Sequence, residues 1–241
     1  MDDAEIPLEG GRVTAGVVRL GDTVRRPILR DRGQVHDLLL HLERKGFDGV
    51  PRFLGVDEQS REILSFLPGD VPRDLGHFSD GQLLSAAGLL RRFHDATADF
   101  PAVLQSGAEV MCHNDWGPPN GVFRDGMPYG LIDFDTIMPG LRLWDLGYSA
   151  FSWLDLGNAD DYTGAEQIRR LTLFAEGYEL PACSPPQIAA YALARQTRLA
   201  SWARHRGMQE MADWAASAAA WTALHVTEQL LPTGFPDERH L

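Results

Sequence analysis

The chain has 241 residues, of which 44% are hydrophobic and 23% are charged, which is typical of a globular protein and not of a disordered one. Its formal net charge of −12 argues against a nucleic-acid partner, because binding to that backbone needs a basic surface. No apolar run approaches the roughly 20 residues that span a bilayer, and the acidic N-terminus lacks the regions of a secretory signal. We therefore expect a cytoplasmic protein with no membrane partner.

The first elements are predicted to be a β-hairpin and a helix. Residues 17–20 and 23–26 favour strands, and Gly21-Asp22 between them is typical of a tight turn. Residues 34–45 carry apolar side chains at helical spacing. Gly46 then supplies the C-terminal stop signal of that helix.

Two further strands and a break complete this region. The strands are predicted at residues 52–56 and 63–67, and Pro68-Gly69-Asp70 interrupts the pattern. We place a lobe boundary there, which divides the chain into an N-terminal lobe at 1–69 and a C-terminal lobe at 70–241.

The second lobe is predicted to be mainly helical. Ser79 is a suitable N-cap for a helix over residues 83–96. Helical patterns return at residues 166–179, 186–205 and 209–230. The sequence therefore predicts an α+β protein with a small β-rich lobe followed by a larger helical lobe.

Residues 110–150 are rich in Gly, Pro, Asp and Asn, and we expect the chemistry of the protein here. Asp115 and Asn120 lie in a segment that contains Pro118-Pro119, so they cannot occupy a helix interior. An apolar run ends at Asp133, which indicates a buried strand that presents a carboxylate at its end. Phosphoryl transfer needs a carboxylate to orient and deprotonate the attacking hydroxyl, and oxygen ligands for Mg²⁺.

These residues form a pattern, H-x-D-x4-N followed by I-D-F-D, that resembles the motifs of the aminoglycoside phosphotransferases and choline kinases. The family loop usually reads H-G-D, whereas this chain has His113-Asn114-Asp115, and asparagine tolerates left-handed backbone conformations. Residues 139–147 are similar to the G-x-P/R-x-x-D-L-A segment of the family, which implies that Asp145 supports the catalytic loop. The match runs in order along nearly the whole chain and implies a two-lobed, protein-kinase-like fold.

The resemblance also implies roles for individual side chains. Asp115 is implied to be the catalytic base, and His113 to brace its loop. Asn120 and Asp133 are implied to be Mg²⁺ ligands. Asp135 is implied to be an accessory acid near the metal, although it could instead cap a turn.

The chain departs from the family at the residue that holds the nucleotide phosphates. Kinase-fold enzymes place a lysine on the third strand, paired with a helix glutamate. Lys45 is the only lysine and falls at the end of the predicted helix. Strand alternation directs either Arg25 or Arg26 to the cleft, and comparison with the family favours Arg25. The helix partner could be Asp37 or Glu43.

Gly10 and Gly11 are the candidates for a phosphate-binding glycine loop, although a glycine pair alone carries little information. They precede the predicted hairpin, as the family order requires.

Several other side chains are interpreted as structural. Cys112 and Cys183 form no CxxC zinc pattern and are expected to be reduced thiols. Trp116 could stack on a substrate ring, but packing beside the Pro-rich loop is favoured. The remaining tryptophans are predicted to be helical core residues: Trp144, Trp153, Trp202, Trp214 and Trp221.

The sequence thus predicts a kinase that transfers the γ-phosphoryl group of a magnesium nucleotide, ATP or GTP, to a hydroxyl of a small, amine-bearing molecule. Two alternatives remain open. The missing strand lysine would suit a binding or regulatory protein that keeps the fold without catalysis. A metal-dependent hydrolase built on His113, Asp115, Asp133 and Asp135 ranks last, because these ligands favour Mg²⁺ over Zn²⁺.

The acceptor and the oligomeric state have no readable signal in the sequence. Acidic residues at 155–161, with Glu176 and Glu179, could line a site for a cationic amine. The more common explanation of such residues is a solvated acidic turn, and both readings are kept.

Overall fold

Within the described residues, five short strands form an antiparallel sheet in the order β1-β2-β3-β5-β4. They are β1 (Ile6–Pro7), β2 (Val18–Leu20), β3 (Thr23–Pro27), β4 (Phe53–Val56) and β5 (Arg61–Ser65). The computed structural model describes residues 4–8, 16–72, 77–181 and 184–230. The candidate glycine loop at Gly10 and Gly11, and also Cys183, lie outside the described residues.

The predicted hairpin and helix of the small lobe are confirmed. Leu20 pairs with Thr23 across the turn, where Gly21 has a φ of 59°. Helix α1 (Gly33–Arg44) buries the predicted apolar positions, and Gly46 follows it at a φ of 69°. The left-handed conformation at both glycines explains why each element ends where the sequence predicted.

Helices dominate the large lobe, as predicted. They are α2 (Asp80–Thr97), α3 (Pro101–Ser106), α4 (Arg142–Leu154), α5 (Gly164–Gly177), α6 (Pro185–His205), α7 (Gln209–Thr222) and α8 (Glu228–Leu230). Helix α2 begins with a reciprocal capping box, in which Ser79 and Gln82 each bond the backbone N–H of the other. A π-helical turn, Ala223–Thr227, joins α7 to α8.

Two short strand pairs position the loops between α3 and α4. Strand β6 (Val110–Cys112) pairs with β9 (Met138–Gly140), and β7 (Gly121–Arg124) pairs with β8 (Met127–Leu131). The buried strand that was predicted ahead of Asp133 is therefore β8.

Backbone hydrogen bonds connect the start of the predicted C-terminal lobe to β7. Asp70 and Phe123 exchange two backbone hydrogen bonds, at 2.9 and 2.7 Å. The division at residue 69 itself stays a prediction. In the described part of the chain, no helix combines the length and the apolar character needed to cross a membrane.

The tryptophans fall into buried, half-buried and exposed pairs, and Trp144 and Trp221 are the half-buried ones. Trp116 and Trp153 are fully buried, and Trp116 Nε1 donates to the carbonyl of Ala86, which confirms its packing role. The prediction that Trp202 and Trp214 are core residues is wrong, since they are 44% and 43% exposed. The buried faces of α6 and α7 consist largely of alanines. The helices therefore pack through small side chains, and these two rings remain at the margin.

Candidate active site

Both carboxylate oxygens of Asp115 are held by neighbouring side chains. Asn120 Nδ2 donates to Oδ2 of Asp115 at 2.9 Å and to its carbonyl oxygen at 2.8 Å. The Tyr148 hydroxyl, on α4, donates to Oδ1. A 3₁₀ turn at Pro118–Asn120 brings Asn120 back towards Asp115. The carboxylate is therefore oriented before any substrate arrives.

Asn114 adopts a left-handed conformation, which asparagine tolerates, with a φ of 65°. The backbone N–H groups of His113 and Asn114 each donate to the carboxylate of Asp145 at 2.7 Å. Arg195, on α6, donates to Oδ1 of Asn114 at 2.9 Å and to its carbonyl oxygen at 2.7 Å. The loop is thus fixed from two helices of the large lobe.

Asp145 belongs to a fully buried polar network. His94 Nε2 lies 3.0 Å from Oδ2 of Asp145, and His94 Nδ1 lies 2.6 Å from the Tyr178 hydroxyl. Burial lowers the pKa of His94 and outweighs the attraction of Asp145. Burial disfavours the charge of Asp145, but the hydrogen bonds from His94 and from the backbone of His113 leave the pKa of Asp145 below its usual value. A neutral His94 can donate to ionised Asp145 and accept from Tyr178.

His113 is fully buried and supports the loop, as the resemblance implied. Its Nε2 lies 3.0 Å from the carbonyl oxygen of Ile132, the residue before Asp133. Its ring packs against Phe93, Trp116 and Phe134. His113 therefore joins the two loops that carry Asp115 and Asp133.

Asp133 follows β8 at a φ of 62°, so its side chain leaves the strand at a sharp turn. Burial, and then the negative charge of Asp135, raise the pKa of Asp133, and Asp115 adds to the effect. The loops that carry Asp115 and Asp133 are also joined directly through their backbones. The backbone N–H of Ile132 also donates to the carbonyl of Asn120 at 3.0 Å.

Asn120 and Asp133 are suitable ligands for Mg²⁺. The amide nitrogen of Asn120 donates to Asp115, and Oδ1 of Asn120 makes no hydrogen bond within the described residues. No group of three or more His, Cys, Asp or Glu side chains among those residues is arranged to hold a metal. Mg²⁺ does not require such a group, since one or two carboxylates with substrate phosphates and water commonly complete its shell.

Asp135 is surrounded by arginines of the small lobe. Arg26 Nη2 and Arg30 Nη2 each lie 2.6 Å from its Oδ2, and Arg32 contacts its Oδ1. Burial alone would raise the pKa of Asp135, but Arg26 and Arg32 lower it to about 2. In this conformation the predicted metal role of Asp135 is replaced by ion pairing.

The geometry reverses the preference for Arg25 over Arg26. Arg26 Nη2 is 3.4 Å from Asp133 and so faces the site. Arg25 donates to Thr23 at 2.6 Å and lies 3.7 Å from Asp57 on the other side of the sheet. Strand alternation alone left both arginines possible, and the preference for Arg25 came from comparison with the family, in which the corresponding position is a lysine or arginine.

The acidic partner of Arg26 in the small lobe lies on a strand and not on a helix. Glu62, on β5, is fully buried and lies 3.7 Å from Arg26, 3.0 Å from Arg32 and 2.9 Å from His36. The predicted partners Asp37 and Glu43 are both exposed on α1. Glu62 was not predicted as the partner because the strand was expected to begin at Ile63, whereas β5 begins at Arg61. A charged residue next to the apolar run was the available signal.

The acidic loop after α4 satisfies its own polar groups. Asn158 Nδ2 donates to Asp155 at 2.7 Å and to Asp161 at 2.9 Å, and Asn158 Oδ1 accepts from the backbone of Asp160 at 2.9 Å. Glu179 lies 3.6 Å from Arg91. These contacts favour the acidic-turn interpretation over a binding site for an amine.

A surface groove of about 730 Å³ lies between α4 and α6. It connects to the loop through Arg195, whose guanidinium stacks 4.6 Å from the ring of Trp144 and 4.7 Å from that of Tyr148. Its lining residues include no carboxylate: Trp144, Ala194, Thr197, Arg198, Ser201, Trp202 and His205.

Comparison with known proteins gives one family and a set of related folds. Residues 98–191 match the family described as phosphotransferase enzyme family. The chain is 36% identical over 175 residues to the trifolitoxin immunity protein of Rhizobium leguminosarum bv. trifolii, a match that covers 67% of this chain. The chain spans 65% of the length of that relative.

Solved structures with the same fold include aminoglycoside and choline kinases. A choline/ethanolamine kinase family protein from Mesorhizobium loti has a TM-score of 0.60 at 17% identity, covering 94% of this chain and 88% of its own. Choline kinase LicA from Streptococcus pneumoniae has a TM-score of 0.61 at 14% identity, covering 93% of each chain. The gentamicin complex of APH(2")-IIa has a TM-score of 0.57 at 14% identity, covering 90% of this chain and 91% of its own. At these identities the structures establish the two-lobed fold alone.

Proposed function

We propose that the chain is a small-molecule kinase, because residues 98–191 match the phosphotransferase enzyme family, as the motifs predicted. The proposed reaction transfers the γ-phosphoryl group of a magnesium nucleotide, ATP or GTP, to a hydroxyl of a small acceptor. A nucleotide co-substrate agrees with the predicted cytoplasmic location.

The observation that carries the proposal is the fixed carboxylate of Asp115, on a loop that His113 and Asn120 join to the loop of Asp133. Asp115 would orient the acceptor hydroxyl and accept its proton while the hydroxyl oxygen attacks the γ-phosphorus and the nucleoside diphosphate leaves. Asn120 and Asp133 would hold Mg²⁺, which neutralises charge on the phosphates when bound. Arg26 lies 3.4 Å from Asp133, where it can reach the same phosphates.

A direct assay tests the proposal. The protein is incubated with magnesium ATP or GTP and a panel of hydroxyl compounds, and nucleoside diphosphate and phosphorylated product are measured. We expect Asp115→Asn to lose transfer while still binding nucleotide, and Asp133→Ala to lose magnesium-dependent binding. Absence of product with every acceptor, together with unchanged background hydrolysis in Asp115→Asn, would contradict catalysis.

The groove between α4 and α6 is a candidate binding surface for the acceptor. The sequence predicted an amine-bearing acceptor, such as an aminoglycoside or an amino-alcohol. Arg198 and His205 line the groove without any acidic neighbour among its lining residues, so an acceptor bound there would need an aromatic face or an anionic group. The panel should therefore contain both classes.

The biological role that we propose is protection against a toxic compound. The support is the 36% identity to a protein named as an immunity protein, together with the family of the central segment. Sensitive cells that express the chain should survive a higher dose of the toxin than cells that express Asp115→Asn. Equal protection by both forms would indicate sequestration of the toxin and not phosphorylation.

A non-catalytic binding protein is the second candidate, because Arg26 is engaged by Asp133 and Asp135. Thermal unfolding with and without magnesium nucleotide separates the two. A ligand at about 100 times its dissociation constant stabilises a protein by roughly 2.7 kcal/mol. A rise in melting temperature that Asp133→Ala abolishes, together with product formation, would reject this candidate.

The hydrolase alternative has less support from the contacts. Asp135 is paired with three arginines, and His113 is buried and directed to the carbonyl of Ile132. Two of the four residues on which that alternative depends are therefore occupied elsewhere.

A further inference from the structure

Arg26, Arg30 and Arg32 reach from the small lobe to the single carboxylate of Asp135. The two oxygens of Asp135 receive three guanidinium groups, two at 2.6 Å on Oδ2 and one on Oδ1. Arg30 Nη2 also donates to the carbonyl oxygen of Asp135 at 3.3 Å. One carboxylate is a small counterion for so many donors, which a ligand with more anionic oxygens would match better.

The arginines differ in how firmly the protein holds them. Arg32 is buried and is also tied to Glu62 at 3.0 Å. Arg30 lies on the connection between β3 and α1, and its side chain is 55% exposed. Asp135 is the partner that Arg30 contacts among the described residues. Arg30 can therefore exchange partners at little cost to the fold.

The charge balance of this group also indicates an anionic ligand. Arg26, Arg30 and Arg32 carry three positive charges, and the carboxylates that they contact among the described residues are Asp133, Asp135 and Glu62. A divalent cation at Asp133 would add two positive charges to this group. Arg26 connects the proposed metal ligand Asp133 to the arginine group around Asp135, since its Nη2 lies 3.4 Å from Asp133 and 2.6 Å from Asp135.

We propose that Arg30 and Arg32 act with Arg26 as binding residues for the polyphosphate of the nucleotide, and that Asp135 occupies the place of phosphate oxygens until the nucleotide binds. The inference rests on the proposed function. In this arrangement a group of arginines from β3 and the following connection replaces the single strand lysine.

Calorimetric titration of the full chain with magnesium ATP tests the proposal. Arg30→Gln removes the charge of an exposed residue, and Arg44→Gln is the matched control, since Arg44 is an exposed arginine at the end of α1. We expect Arg30→Gln to weaken magnesium ATP binding by about ten-fold, the effect of one lost charge-assisted hydrogen bond. Binding of AMP, which lacks the two outer phosphates, should change far less. Arg44→Gln should match the wild type for both ligands.

A second variant covers the buried member of the group. Arg32→Lys keeps the charge, but a lysine cannot bond two partners as the forked guanidinium does. This variant should also weaken the binding of magnesium ATP more than the binding of AMP. Wild-type affinity for magnesium ATP in both Arg30→Gln and Arg32→Lys would overturn the inference. An equal loss for ATP and AMP would do the same, because it would assign the arginines to lobe packing.

Failure of the proposed function gives a different pattern. If the wild type binds magnesium ATP but no acceptor is phosphorylated, the kinase reaction fails while the phosphate-binding inference stands on the binding data. If the wild type binds neither nucleotide, both are rejected.

Discussion

The hydroxyl of Tyr148 donates a hydrogen bond to Oδ1 of Asp115, so a helix side chain orients the proposed catalytic carboxylate. Burial, and then the negative charge of Asp115, raise the pKa of Tyr148. The hydroxyl therefore keeps its proton and acts only as a donor to Asp115. The remaining oxygen of the carboxylate is bonded by Asn120, so the orientation is defined from two sides.

Tyr148→Phe should lower kcat without weakening nucleotide binding. Removing one hydrogen bond to a charged group should cost about ten-fold in rate, since Asp115 loses its fixed direction. Steady-state kinetics and titration with magnesium ATP provide the two measurements. Tyr129→Phe is the control, because its hydroxyl donates to the carbonyl of Pro68 at 2.8 Å, away from Asp115. A loss of nucleotide affinity equal to the loss of rate would contradict a role in orienting Asp115.

Asn114→Ala should destabilise the protein by about 2 kcal/mol, through left-handed strain and the loss of two side-chain hydrogen bonds, one from Arg195 and one to the carbonyl of Thr136. Urea unfolding measures the change. Asp125→Ala is the control for strain alone, because Asp125 has a φ of 52° and lies in an exposed turn. The stability of Asn114→Gly should lie between that of the wild type and that of Asn114→Ala. Glycine tolerates the left-handed conformation without strain, but it cannot make the side-chain contacts. Equal effects of Asn114→Ala and Asp125→Ala would show that the two side-chain hydrogen bonds of Asn114 add nothing to stability.

The free energy of unfolding should fall as the pH drops below about 6.5, the ordinary pKa of the buried His94. The folded state holds His94 neutral because burial lowers its pKa, whereas the unfolded chain takes up a proton. The unfolded state therefore binds more protons in this range, and stability falls by up to about 1.4 kcal/mol per pH unit. Above pH 6.5 His94 is neutral in both the folded and the unfolded state, so it no longer lowers the free energy of unfolding.

Urea unfolding at pH 5 and pH 7.5 measures this dependence. His94→Gln keeps a donor for Asp145 without a titrating ring, so its stability should change less over the same interval. His205→Gln, at an exposed site, is the matched control and should retain the wild-type slope. A slope in His94→Gln as steep as that of the wild type would assign the effect to other groups.

Gly147→Ala should destabilise the protein by about 1–3 kcal/mol, the usual cost of overpacking. An added Cβ would lie 2.7 Å from the backbone carbon of Tyr191 and 2.8 Å from the nitrogen of Ala192, so α4 and α6 would have to separate. Thermal or urea unfolding measures the cost. Gly81→Ala is the control in another helix, where the nearest atom is a flexible methionine end at 3.9 Å, and it should be neutral or slightly stabilising.

Most of the fold followed from local signals in the sequence. The Ser79 cap, the turn at Gly21 and the apolar face of α1 each depend on residues close together in the chain, and all were predicted. Helix α3 was missed because its six residues bury Val103 but show too short a pattern for periodicity. The exposure of Trp202 was missed since it depends on how closely α6 approaches its neighbours.

The candidate site was predictable where it depended on a motif and not where it depended on pairing in space. Asp115, Asn120 and Asp133 stand together in a recognisable spacing. The partners Tyr148, Arg195 and Glu62 come from a helix or strand far away in the chain, and no short-range pattern connects them to the loop. Arg30 also lacked a signal, since its position depends on the path of the connection after β3.

The double contact between Arg195 and Asn114 has an evolutionary consequence. A glycine at position 114 would offer Arg195 a backbone carbonyl but no side-chain oxygen. The arginine in α6 would then lose one of the two contacts that hold it at the loop. Among descendants of this chain, the two positions should change together.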